Sequence, residues 1–204
     1  MKQMEERDIV TYLKNNIEPL EDKLLGEGYR ASVHLVDGLL LPCVVFRNPT
    51  KTIELAIRRF REEQSGRGIS RSKNGYKEIV EHFITRGNRI NVYDIASIKE
   101  SDFAFPVSIL KQIRGETIMS WTGFAAKMKD GKHFGFGTAY GCTFFHMPDG
   151  YSAKDIDEIV NHSYVLKTGE LSPHKITYAN FSDVYKDTIV YRERPFFECY
   201  IDGL

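Results

Sequence analysis

Two Asp-Gly pairs, each set between two strand-like segments, constrain the fold of this chain more than any other feature. Asp37-Gly38 divides the segment 29–46, and Asp130-Gly131 divides the segment 117–146. An Asp-Gly pair supplies the positive φ angles that a two-residue type I′ turn requires between antiparallel strands. The sequence therefore predicts two β-hairpins, each closed by a two-residue turn.

The first hairpin has a predicted register that follows from its turn. A two-residue loop at Asp37-Gly38 places Tyr29 and Ala31 on the same face as Val44 and Phe46. Pro42 lacks the N–H that a central strand needs for pairing. We therefore expect this strand to lie at a sheet edge or to carry a bulge.

The N-terminal segment has the apolar spacing of an amphipathic helix. Its apolar residues follow one another at intervals of three and four, and they are Val10, Leu13, Ile17, Leu20 and Leu24. Pro19 removes one backbone donor, which predicts a kink or a restart of the helix. The stripe is too short for a coiled coil, so we expect it to pack on the sheet.

Three further helices are predicted from apolar spacing and capping residues. The first carries Ile53, Ala56, Ile57 and Phe60, and the second carries Tyr76, Ile79, Val80, Phe83 and Ile84. The third is predicted to begin at Ser152, with Asp155 completing a capping box.

The C-terminal segment 188–201 is rich in Tyr, Phe and β-branched residues, which predicts strands that belong to the core.

These elements predict an α+β fold: a mostly antiparallel sheet built from hairpins, with helices packed on it. No linker divides the chain, so we expect one domain over 1–204, with a helical and hairpin part at about 1–89 and a β-rich part at about 90–204.

The N-terminus lacks an apolar signal region, no apolar run is long enough for a membrane span, and the three cysteines are odd in number. We therefore expect a soluble cytoplasmic protein.

Charge is balanced overall but uneven along the chain. The 28 basic residues equal the 28 acidic ones, which disfavours a globally basic nucleic-acid-binding protein. Residues 58–89 nevertheless hold nine Lys/Arg against four Asp/Glu. The cations of segment 58–73 are Arg58, Arg59, Arg61, Arg67, Arg71 and Lys73. Arginine donates paired hydrogen bonds to phosphate or carboxylate, so this segment is a candidate contact for an anionic protein or a nucleic acid; an ordinary solvated loop is the simpler alternative.

The second hairpin contains an unusual face, which we call the glycine face and define by Gly135 and Gly137. The two-residue turn predicts that this face also carries the following residues: His133, Ala139, Gly141, Phe124, Ala126 and Met128. Strand glycines mark a close approach of another backbone or of a ligand. One interpretation is a helix packed on this face, such as the one expected at Ser152. The other is a ligand, with His133 and Thr143 at its two ends and His133 as acid or base.

The motifs of well-known catalytic and cofactor sites are missing. No Cys-x-x-Cys pair, His-Glu-x-x-His helix, P-loop, dinucleotide fingerprint or Gly-x-Ser-x-Gly elbow occurs, so we assign no metal and no cofactor. Two hypotheses remain. The first is a non-catalytic binding protein that contacts an anionic partner through segment 58–73. The alternative is a small-molecule enzyme with a pocket over the glycine face that uses His133, with Gly135, Gly137, Gly141, Phe124 and Thr143 binding the ligand.

Overall fold

The structure of the protein is a computed structural model that describes residues 1–23, 25–65, 88–118, 121–139, 143–174 and 186–204. The chain forms two compact units, Met1–Glu100 with Phe196–Leu204, and Ser101–Pro195. The predicted α+β class with mostly antiparallel sheets is confirmed. The helix predicted from Tyr76 to Ile84 lies outside the described residues.

The described helices are α1 (Glu6–Asn16), α2 (Thr50–Gln64) and α3 (Val107–Leu110). The first six strands are β1 (Pro19–Asp22), β2 (Gly26–Leu35), β3 (Leu40–Arg47), β4 (Ile95–Glu100), β5 (Thr122–Met128) and β6 (His133–Thr138). The other six are β7 (Ile156–Asn161), β8 (Ser163–Leu166), β9 (Leu171–Pro173), β10 (Thr188–Ile189), β11 (Tyr191–Arg192) and β12 (Phe197–Tyr200). Among the described helices, none is long and apolar enough to cross a membrane.

The first unit is built on a five-stranded sheet. Its strands run in the order β1-β2-β3-β12, and β4 also pairs with β2. Tyr29 pairs with Phe46 and Ala31 pairs with Val44, so these residues share one face as predicted. The chain returns from the second unit to add β12 parallel to β3.

The turn of the first hairpin differs from the prediction. Leu35 donates its N–H to the carbonyl of Leu39 at 2.9 Å, and Gly38 has a φ of 93°. The loop therefore holds three residues, as in a type I turn followed by a left-handed glycine, and the predicted two-residue turn is wrong. The bulge predicted near Pro42 is confirmed, because the β2–β3 pairing shifts by one residue between Ala31 and Val33.

Helix α1 packs against this sheet, as its apolar stripe predicts. Ile9 and Leu13 are fully buried in one cluster with residues of β2, β3 and β12. The kink or restart predicted at Pro19 is wrong, since α1 ends at Asn16 and Pro19 opens β1. The missing N–H of Pro19 stops the helix, and a proline is tolerated as the first residue of a strand.

The end of the C-terminal segment belongs to the core of the first unit, as predicted, whereas residues 188–195 belong to the second unit, where Ile189 is 45% exposed. Cys199 is fully buried and Ile201 is only 2% exposed. Both pack in the cluster that holds α1, where Val44 and Phe46 are neighbours. The last strand therefore completes a core begun nearly two hundred residues earlier in the sequence.

The second unit contains two sheets. One has the order β11-β6-β5-β7 and the other has the order β10-β8-β9. One side of the larger sheet carries an aromatic core. Its rings are Phe105, Phe124, Phe136 and Phe145, with centroid separations of 4.9 to 5.7 Å.

The helix predicted at Ser152 is wrong. The capping box forms, with the Ser152 N–H donating to Asp155 at 2.8 Å. It caps only one 3-10 turn, Ala153–Asp155, after which the chain enters β7. Pairing with β5 and burial of Ile156 and Ile159 favour a strand over the locally encoded helix.

Ile201→Ala should lower the free energy of unfolding by about 2–5 kcal/mol, because it removes a buried side chain from the first unit's core. Urea unfolding followed by circular dichroism measures this change. The adjacent Asp202→Ala is the control, since Asp202 is exposed and its loss should cost less than about 0.5 kcal/mol. Equal stability of the two variants would contradict the placement of the tail in the core.

We also expect the first unit to lose stability at alkaline pH. Burial, with a smaller effect of Glu6, raises the pKa of Cys199 from 9.0 to about 12. Burial and the hydrogen bond to Glu27 likewise raise the pKa of Tyr29 from 10.0 to about 12. The unfolded chain releases these protons first, so the stability present below about pH 9 is lost as the pH rises toward 12.

Urea unfolding at a series of pH values tests this loss. Cys199 should contribute a slope of at most about 1.4 kcal/mol per pH unit above pH 9. Cys199→Ala should show a shallower decline than the parent chain. A decline of the same steepness in both proteins would show that the buried thiol is not responsible.

Candidate functional site

The central hairpin, from which the candidate pocket was predicted, also closes with a three-residue loop. Met128 donates its N–H to the carbonyl of Lys132 at 2.8 Å, and Gly131 has a φ of 86°. The Asp130 carboxylate accepts the N–H of Lys132 at 3.1 Å. The pairing then runs Ala126 with Phe134 and Phe124 with Phe136, so the predicted register is wrong by one residue.

This one-residue difference exchanges the faces of β5. Phe124 lies opposite Phe136 and is fully buried in the aromatic core, not on the glycine face. The glycine face instead pairs Gly123 with Gly137 and Ala125 with Gly135. The glycine face therefore carries smaller side chains than predicted, because β5 contributes Gly123 and Ala125 to it.

The glycine face is covered by strands and by one ring. A Cβ added to Gly135 would lie 2.6 Å from the carbonyl oxygen of Ile189 and 3.3 Å from the amide nitrogen of Val165. A Cβ added to Gly137 would lie 2.0 Å from the ring of Trp121. The expected covering helix is absent from this position, because β8, β10 and Trp121 fill it. The same contacts leave no room for a ligand over the centre of the face.

The remaining predicted pocket residues lie apart from one another. Thr143 is buried, and its backbone N–H donates to the carboxylate of Glu193, which also accepts the hydroxyl of Thr138. Gly141 lies outside the described residues. His133 is the first residue of β6 and is half-buried, and it lines a cavity together with Gly135.

This cavity, which we call the His133 cavity, has a volume of about 480 Å³ and lies wholly within the second unit. Three segments line it: the β5–β6 turn with the start of β6, the β8–β9 turn with the end of β8, and the β10–β11 segment. The lining residues are Gly131, Lys132, His133, Phe134, Gly135, Val165, Leu166, Lys167, Thr168, Gly169, Ile189 and Tyr191. Lys132, His133 and Lys167 are its basic members, and none of these lining residues is an Asp or a Glu.

Lys132 belongs to a polar network at the mouth of this cavity. Its Nζ donates to the Tyr151 hydroxyl at 2.8 Å, and that hydroxyl donates to Asp130 at 2.6 Å. The hydrogen bond to Tyr151, with the charge of Asp130, raises the pKa of Lys132. The hydrogen bonds from Tyr151 and from the Lys132 N–H lower the pKa of Asp130. Both groups are therefore charged at neutral pH.

The described part of the basic segment forms the exposed side of α2. The side chains of Arg58, Arg59 and Arg61 are exposed, whereas Arg67, Arg71 and Lys73 lie outside the described residues. Ile53 and Ile57 were predicted to form an apolar stripe, and they are 51% and 46% exposed. Among the described side chains of this helix, those of Thr52 and Ala56 are buried. The buried face of α2 is therefore not the face that carries Ile53 and Ile57.

Sequence reasoning missed most of the cavity lining. Val165, Lys167 and Ile189 come from segments far from His133 in the sequence, and their own spacing carries no sign of a shared site. The Thr168-Gly169 turn was the available signal, since Gly169 has a positive φ of 88° like the other hairpin turns.

Other chemistry is not evident in the described ranges. Within them, no group of three or more His, Cys, Asp or Glu side chains is placed to hold a metal ion. The ring of His146 stacks on the ring of Phe103, with their centroids 5.6 Å apart.

Comparisons with known proteins return no family model, no curated protein and no solved structure that matches this chain. Function is therefore inferred from the two surfaces described above.

Gly137→Ala should destabilise the second unit by about 1–3 kcal/mol, because the new methyl group overlaps the Trp121 ring. Thermal unfolding followed by calorimetry measures this cost. Trp121→Ala removes the opposing ring, so adding Gly137→Ala in that background should cost far less. A double-mutant cycle with additive effects would contradict the packing of Trp121 on the glycine face.

Proposed function

We propose that the chain is a non-catalytic binding protein that engages an acidic segment of a partner protein through the exposed side of α2. We call this side the α2 surface and define it by Ile53, Ile57, Arg58, Arg59 and Arg61. The observation that carries the proposal is the exposure of three guanidinium groups that form no ion pair with any described residue.

The charges of the α2 surface favour a carboxylate-bearing partner. Glu54 is paired with Lys51 at 3.3 Å, and neither Glu54 nor Glu62 forms an ion pair with Arg58, Arg59 or Arg61. Arg58 and Arg61 lie three residues apart and therefore project from neighbouring positions of one helix face. A planar guanidinium group binds a carboxylate through two parallel hydrogen bonds, which fits an acidic side chain laid across this pair.

The apolar part of the surface favours a protein over a nucleic acid. Ile53 and Ile57 are four residues apart, about half exposed, and adjacent to the arginines. Apolar contacts at the centre with arginine nearby are typical of protein interfaces. A nucleic acid would offer a continuous polyanion, which matches separate arginines beside two exposed isoleucines less well than an amphipathic acidic peptide does.

The alternative hypothesis, an enzyme that acts through His133, has less support. The centre of the glycine face is filled, and only the end that holds His133 borders a cavity. A catalytic imidazole is commonly held in place by a second hydrogen-bonding group. In the described part of the chain, no hydrogen bond between His133 and another side chain provides that orientation. Binding is therefore the better-supported function.

Fluorescence anisotropy with two labelled probes tests the proposal: an amphipathic peptide of Glu, Asp and Leu, and a single-stranded RNA. The peptide should bind, and its affinity should fall with added salt because charge attraction is screened. Arg58→Glu/Arg61→Glu should weaken binding at least tenfold, about 1.4 kcal/mol or more, through lost attraction and new repulsion.

The control is Lys2→Glu/Arg7→Glu, which makes the same change in net charge at two other exposed positions of the first unit. It should leave peptide affinity nearly unchanged. Equal losses in both double variants, or no peptide binding at all, would overturn the proposal. Binding of the RNA without binding of the peptide would show that the partner class is wrong.

A further inference from the structure

We propose that the His133 cavity is a binding site for a small amphiphilic anion, a molecule with a short apolar body and one carboxylate or phosphate group. This site is separate from the α2 surface, because every residue that lines it belongs to the second unit. It also differs from the pocket expected over the glycine face, whose centre is closed by Ile189, Val165 and Trp121.

The interior of the cavity is apolar. Gly135 and Val165 are buried and lie against each other, since an added Cβ at Gly135 would be 3.6 Å from the Cβ of Val165. Leu166 is half-buried beside them, and Ile189 is 45% exposed. An apolar group that enters the cavity would displace water from these side chains, which favours its binding.

The rim of the cavity is positively charged. Lys132 and Lys167 are exposed, and His133 is half-buried. Lys167 is held in place because its Nζ donates to the backbone carbonyl of Lys186. The nearby carboxylate of Asp130 is engaged by Tyr151 and by Lys132, and it does not belong to the lining.

The two turns that form the walls are closed by their own hydrogen bonds. Gly131 donates to the carbonyl of Met128, and Gly169 donates to the carbonyl of Leu166, each at 2.8 Å. Both glycines have positive φ angles, so each turn has a backbone that few other residues adopt. The cavity is therefore formed before a ligand arrives, which reduces the entropy lost on binding.

Size and charge together define the ligand class. A volume of about 480 Å³ lies within the range of small-molecule sites and is far too small for a folded partner. Fixed cations beside an apolar interior bind an anionic head group while its apolar body is buried. An anion without an apolar body should contact only the cations of the rim. An apolar molecule without an anionic group should contact only the interior.

Three probes at constant ionic strength separate these contributions: hexanoate, acetate and hexanamide. In titrations of the 15N-labelled full chain, hexanoate should shift the amide signals of His133, Gly135, Val165 and Lys167. Acetate and hexanamide should bind at least about tenfold more weakly, since each lacks one of the two contacts. Butyl phosphate in a parallel titration distinguishes a phosphate head group from a carboxylate.

Lys167→Gln should weaken hexanoate binding about tenfold, because a charge-assisted contact is lost. Lys111→Gln is the control, since Lys111 is an exposed lysine of the same unit that does not line the cavity.

Several results would overturn the proposal. They are equal affinities for hexanoate and hexanamide, equal effects of Lys167→Gln and Lys111→Gln, or signal changes that map away from the cavity. The α2 variant Arg58→Glu/Arg61→Glu should bind hexanoate as the parent chain does. Failure of either proposal can therefore be recognised without reference to the other.

Discussion

The left-handed conformation of one glycine in each Asp-Gly turn is the constraint on which the rest of the structure depends. Gly38 and Gly131 have φ angles of 93° and 86°, and each ends a three-residue loop. A three-residue loop pairs the following strand one position away from the register of a two-residue loop. In the first hairpin, the bulge beside Pro42 restores the expected pairs farther from the turn. The β5–β6 ladder has no such shift, so its turn decides which side chains are buried along the whole hairpin.

The glycine face shows how that register is used. With Gly123, Ala125, Gly135 and Gly137 on one side, the backbone of β8 and β10 approaches to distances that a side chain would prevent. The opposite side is filled by stacked and edge-on phenylalanine rings. A single hairpin of the second unit therefore supplies part of the aromatic core on one face and a close backbone contact on the other. Where this close contact ends, at His133 and the two glycine turns, the His133 cavity begins.

The candidate sites were partly predictable from the sequence. Arg58, Arg59 and Arg61 on an amphipathic helix and His133 at the end of the glycine face were identified from spacing alone, and the structure places them at the α2 surface and the His133 cavity. Phe124 was assigned to the pocket because the loop length was wrong by one residue. Lys167 and Ile189 were missed because they approach His133 only after three separate segments fold together. Spacing along a strand predicts which face a residue occupies, but it contains no information about a partner from a distant segment.

The sequence by itself determined the α+β class, the positions of both hairpin turns, the α1 stripe and the core character of the tail. These features depend on local periodicity, on Asp-Gly chemistry and on apolar composition, which act within a few residues. Only the tertiary structure decided that the segment after Ser152 is a strand, that Pro19 opens β1 and that Ile57 is exposed. In each case the local preference is worth about 1 kcal/mol or less per residue, and pairing with a neighbouring strand or burial in a shared core outweighs it.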